Sequence, residues 1–250
     1  DGADIITASA GTSNFRAGVN AGNSIQSGGN YNVTVGDEAG TALTTGDYLT
    51  ALGYAAGTAI TTGVQNTLIG GLAGDAITTG NYNLAIGHQA LSATTTANYN
   101  VAVGRSALFT NILGSHSTAI GISALETQNY ATATAAYNVA VGHEAGLSVT
   151  TGIQNTFIGG LAGDANTTAN NNTAVGKSSL SATTTGGENT AVGTNALATN
   201  TTASNNTAVG TNALKVNTTG ANNVAVGSLA LDANTTADNN TAVGYGSLSA

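Results

Sequence analysis

The 250-residue sequence predicts an all-β fold, a parallel β-solenoid (β-roll) of about thirteen 17-residue coils. Three observations carry this: a glycine that returns every 17 residues, an apolar triplet before each one, and a small-sided composition. Repeats of this period mark stacked coils, because one coil can bury its apolar face only against its neighbours.

The recurring glycine stands at Gly36, Gly53, Gly70, Gly87, Gly104, Gly121, Gly142, Gly159, Gly176, Gly193, Gly210, Gly227 and Gly244. Eleven of the twelve steps are 17 residues; the step from Gly121 to Gly142 is 21, which places a four-residue insertion near residues 126–136. Gly18 and Gly22 look like a degraded copy, so residues 1–31 are expected to form a cap or connector and 32–250 the repeat domain. A longer period is superposed: residues 63–104 resemble residues 152–193 at an offset of 89, five coils plus the insertion.

The template is Asn-Thr-Ala-Val-Gly, best kept at Asn172, Val175 and Gly176, at Asn189, Val192 and Gly193, and at Asn206, Val209 and Gly210. The residue before the glycine is always branched aliphatic, and Val or Thr usually stands two residues earlier on the same strand face. That face is expected to fill the coil interior. The residue between them is Ala in ten copies, with Thr34, Leu68 and Phe157 as departures. A strand apolar on both faces is usually buried on both. Ala85, Ala102, Ala174, Ala191 and Ala208 are therefore expected to pack against other chains. The opening Asn is expected to hydrogen-bond along the stack, and the glycine to turn a corner with positive φ. Four residues beyond the glycine stands Gly or Leu, with Leu expected inward, and the remaining Thr/Asn arc should face solvent.

The composition fits thin coils. It has 35 glycines, no Pro, Cys, Met or Trp, and only 6% charged residues, too few large side chains for an interdigitated core. Net charge is −8 with four cations, which argues against nucleic acid, since phosphate neutralisation needs clustered Lys and Arg. No stretch approaches the roughly 20 apolar residues of a membrane-spanning helix, so direct membrane insertion is not expected.

With the following x-x-Ala-Leu, as in residues 189–197 and 206–214, the Asn-Thr-Ala-Val-Gly motif resembles the YadA-like head repeats of trimeric autotransporter adhesins. It resembles still more closely the Asn-Thr-Ala-Val-Gly repeats of bacteriophage tail fibres. The resemblance covers roughly residues 31–250, although the family repeat is typically shorter than 17 residues. It implies parallel β-rolls associated side by side as a homotrimer, with an adhesive surface. The expected function is therefore a structural and adhesive fibre segment, extracellular, on a virion appendage or a cell surface. A bacterial surface adhesin head is the alternative, and an ice-binding solenoid a weaker one.

No catalytic role, metal site or cofactor is expected. The glycine spacings lack a dinucleotide-binding or phosphate-binding context, and the acidic residues form no pair in a cleft. His88 and His143 occupy variable turn positions in different coils, and His116 is a solvated turn histidine. The expected partners are the chain itself and a host-surface glycan or protein receptor. Tyr130 and Tyr137, in and beside the insertion, are the candidate recognition residues, as rings that could stack on a sugar.

Overall fold

The computed structural model describes residues 5–6 and 10–249. Among these there is no helix; the regular structure is short strands joined by turns. The contacts divide the chain into two compact units, one of Asp1–Ile122 with Asn129–Ala135, the other of Ser123–Gln128 with Ala136–Ala250. Both are runs of parallel β-solenoid, and together they hold about thirteen coils.

In the first unit Phe15–Ala17, Val33–Val35, Thr50–Leu52, Thr67–Ile69, Leu84–Ile86, Val101–Val103 and Thr118–Ile120 pair in parallel, with equivalent residues facing one another. The degraded copy is thus a coil in register, beginning at Asn14 within the expected connector. The earlier part of that connector lies mostly outside the described residues, apart from Ile5–Ile6, which pairs antiparallel with Phe15–Ala17. The insertion adds Thr134–Ala135, paired in parallel with Gly114–Ser115. In the second unit the parallel strands run Val139–Val141, Thr156–Ile158, Thr173–Val175, Thr190–Val192, Thr207–Val209, Val224–Val226 and Thr241–Val243.

The two strand faces lie opposite to the expectation. Ala85, Ala102, Ala174, Ala191 and Ala208 are fully buried within the chain, so they cannot form the surface between chains. The branched aliphatic residues beside the strand-centre positions point outward: Leu52 is 45%, Ile120 39%, Val192 36% and Val226 37% exposed. The reason is room. Each coil is narrow, and its interior already holds a Leu or its substitute plus a turn alanine such as Ala90, Ala196 or Ala213. Only a methyl group fits at the strand centre beside them. The centre is larger at Leu68 and Phe157, and there the side chain lies against glycines: Leu68 against Gly57 and Gly74, Phe157 against Gly146 and Gly163.

The inward Leu column is as expected, with Leu91, Leu108, Leu180, Leu197 and Leu214 fully buried. These leucines have left-handed backbones, φ 54° at Leu91 and 48° at Leu214. Such a conformation costs about 1–3 kcal/mol for a non-glycine residue, while burying a leucine gains about 1.5–3 kcal/mol. The two nearly balance, which accounts for the alternation of Leu with Gly. Where glycine takes the position, an aliphatic residue three places on fills the core, as in Gly40/Leu43, Gly57/Ile60, Gly74/Ile77 and Gly146/Val149, with Gly163/Asn166 as the exception. Where leucine takes it, that third residue is Thr, Asn or Gln, as in Leu91/Thr94, Leu125/Gln128 and Leu214/Asn217.

Two polar ladders hold the stack. In the second unit the Asn155 N–H donates to Asn138 Oδ1 at 2.9 Å, and the relation repeats through Asn172, Asn189, Asn206, Asn223 and Asn240. From Asn138 to Asn223 each Nδ2 donates to a carbonyl 14 residues on, as Asn189 does to Ala203 at 2.9 Å. These asparagines are buried, so an unmade bond would leave the cost of desolvation uncompensated. One threonine of each Thr run adds a second ladder, Thr167 to Thr184 to Thr201 to Thr218, each hydroxyl donating to the next carbonyl at 3.1–3.2 Å. The glycine column behaves as expected: Gly193 has φ +134°, and a Cβ there would lie 2.6 Å from the Gly210 carbonyl.

Candidate functional site

The coil presents three surfaces on which chemistry could occur. The first is the outward strand face. In the second unit it carries Val141, Ile158, Val175, Val192, Val209 and Val226 in register, one coil apart, beside a column of Val and Thr that includes Thr190 and Val224. All are at least half-buried or exposed, and none is charged. A ladder of this kind differs from scattered surface apolar residues, because it is continuous.

The second surface is the corner just before the Asn ladder. Its residues have left-handed backbones, φ 57° at Tyr82 and 58° at Tyr99. In the first unit it carries exposed aromatic rings stacked along the coil axis. Tyr31 and Tyr48 have centroids 5.2 Å apart, Tyr82 and Tyr99 4.9 Å, and Tyr99 and His116 5.0 Å. The ring spacing follows the strand spacing, so stacking is imposed by the coil register. His116 is thus an exposed turn residue stacked on Tyr99.

Of the two candidate recognition tyrosines, Tyr130 is only 6% exposed, and its ring lies against Gly114. The insertion folds this ring inward, which removes it as a surface for a ligand. Tyr137 is 55% exposed and remains at the surface of the second unit. The stacked tyrosines are not among the residues expected from the insertion; their column, Tyr31, Tyr48, Tyr82, Tyr99 and Tyr137, is visible in the register itself.

The third surface is a notch of about 300 Å³ in the second unit, around Gly187. Thr168, Asn170, Asn171, Thr185, Glu188, Ser204 and Asn205 line it, so its wall is amide and hydroxyl with one carboxylate. It exists because the corner position occupied by Asn170 and Ser204 in adjacent coils has no side chain at Gly187.

Acidic groups are dispersed. Glu144 lies 3.6 Å from His143, an exposed contact. Among the described residues, Asp164 is the carboxyl whose proton is held above its ordinary range, first through burial and then through the charge of Glu144, against opposing backbone hydrogen bonds. Among the described residues no three His, Cys, Asp or Glu side chains are grouped to hold a metal ion. Among the described residues no helix is long and apolar enough to cross a membrane. Comparison of the chain with family models, curated proteins and solved structures gave no match.

Proposed function

We propose that this chain is a structural and adhesive fibre segment that associates with two further copies of itself along its outward Val/Ile ladder. The observation that carries the proposal is that ladder: branched aliphatic side chains in register on successive coils, without an interrupting charge. A face of this kind is stabilised by removal from water at about 25 cal/mol per Å² of apolar area. The Thr that often flanks it, as at Thr173, Thr190 and Thr207, allows close packing with a hydroxyl to spare. Regular coils locked by buried Asn ladders supply rigidity, and the outer turns vary freely, which suits a surface that contacts something else. The repeat resemblance favours a phage tail fibre or other virion appendage over a bacterial adhesin head. Extracellular placement follows from either.

The test is paired substitution on the ladder. Val192→Asp with Val226→Asp places charges on alternate coils of the outward face without touching the buried alanines. The assembled species should fall apart into single chains while the β-sheet circular dichroism is kept. If the doubly substituted chain kept the mass of the unmodified protein, the ladder would not be the contact between copies.

A further inference from the structure

We propose that the Gly187 notch is a binding site for a neutral sugar, held through hydroxyls that complete an interrupted hydrogen-bond ladder. At this corner the side-chain oxygen of one coil accepts the backbone N–H of the coil before it. Asn170 Oδ1 accepts the Ile153 N–H at 2.8 Å, Ser204 Oγ accepts the Gly187 N–H at 3.1 Å, and Asp238 accepts the Ala221 N–H at 2.6 Å. The first unit repeats this, with Asn81 accepting from Val64 at 2.8 Å and Asn98 from Asn81 at 2.7 Å. The rule fails wherever the next coil has no side-chain oxygen at this corner, as for Asp47 before Val64, Ser204 before Ala221 and Asn170 before Gly187. Only in the last case is the side chain missing altogether, and the Asn170 N–H meets no acceptor among the described residues. The missing side chain also opens the space that forms the notch.

An oxygen from outside is what the geometry lacks, and the lining decides its kind. Glu188 disfavours an anion by repulsion. One carboxylate with amides and hydroxyls is a poor cage for a divalent cation, which takes six or more oxygens. Asn171, Asn205, Thr168, Thr185 and Ser204 instead offer both donors and acceptors, and Glu188 accepts strongly. That mixture matches a ring bearing several hydroxyls, and about 300 Å³ admits one sugar unit. One hydroxyl oxygen takes the Asn170 N–H in place of the absent side chain, and another donates to Glu188. This deepens the attachment reading by naming a ligand class, yet its test is independent of assembly.

The test is amide nuclear magnetic resonance of the full chain, with glucose, galactose, mannose and N-acetylglucosamine added separately to about 50 mM, a range that covers millimolar affinity. At least one sugar should shift the Asn170, Gly187 and Ser204 amides with saturation, leaving Asn81 and Asn98 of the first unit unmoved. Gly187→Ser restores the missing oxygen and should abolish the shifts. Since a Cβ at that position lies 2.9 Å from the Asn170 carbonyl, Thr168→Ala serves as a second variant that removes a lining hydroxyl without entering the backbone. It should weaken binding several-fold. Absence of saturable shifts with all four sugars, or shifts unchanged by both substitutions, overturns the site. Either result would leave the fibre proposal standing, because the assembled mass does not depend on this notch.

Discussion

Asn172 Oδ1 accepts the backbone N–H of Asn189 at 3.0 Å, and Asn189 Oδ1 accepts that of Asn206 at the same distance. The same two side chains donate to the carbonyls of Gly186 and Ala203. Each side chain thus satisfies a buried donor and a buried acceptor in a neighbouring coil. Replacing Asn189 by alanine leaves the Asn206 N–H unmatched, while the Ala203 carbonyl keeps its second donor, Asn200 Nδ2 at 3.0 Å. The expected loss is about 1–3 kcal/mol, the cost of one unmatched buried group. Denaturant unfolding of Asn189→Ala measures it.

Phe157 and Gly163 form an exchange pair. The ring occupies the space that the inward leucine fills in coils such as that of Leu180. Phe157→Ala should cost about 3–5 kcal/mol through the cavity it leaves. Adding Gly163→Leu rebuilds the Ala/Leu combination of the following coils and should recover most of that loss. Thermal midpoints of the two single variants and the double variant would show the coupling as non-additivity.

Asn166 is fully buried with neither side-chain atom hydrogen-bonded. Its counterparts Asn200 and Asn217 reach the Ala203 and Gly220 carbonyls, but those stand in Leu coils. Asn166 stands three residues after Gly163, where the other glycine coils carry Leu43, Ile60, Ile77 or Val149. Asn166→Val removes unpaired polar atoms and should stabilise the chain by about 1–3 kcal/mol. Calorimetry would detect the rise.

Asp164 gives a pH dependence of definite sign. Its folded-state affinity for the proton exceeds the ordinary value of 3.8, chiefly through burial and secondly through Glu144. The stability linked to this group is therefore fully present below pH 3.8 and is lost as pH rises through the folded value. Asp164→Asn should raise the thermal midpoint at neutral pH and flatten this part of the pH profile. A series of melts from pH 3 to pH 8 (about five points) tests both statements.

Much of the fold was legible because a repeat registers itself. The period, the glycine corner, the stacked asparagines and the inward leucines each appear as a column, and each column carries one physical constraint. The facing of the strand was harder. Over three residues, alternation shows that Ala191 opposes Thr190 and Val192 but not which side is inside. Hydrophobicity favoured valine inside; the space beside Leu197 decided for alanine. A sequence signal did exist: the two bulkiest centres, Leu68 and Phe157, both stand in coils whose leucine column is glycine, at Gly74 and Gly163. Such an exchange is expected only if both positions share one interior. The notch was invisible for another reason. Gly187 is one glycine among 35, and its meaning depends on Asn170 and Ser204 above and below it.

The central claim is that the outward Val/Ile ladder joins copies of this chain into a fibre segment. Light scattering of the purified, unmodified protein across a dilution series tests it most directly. The expected mass is three times 24.1 kDa, held on dilution. A single-chain mass at all concentrations would contradict it.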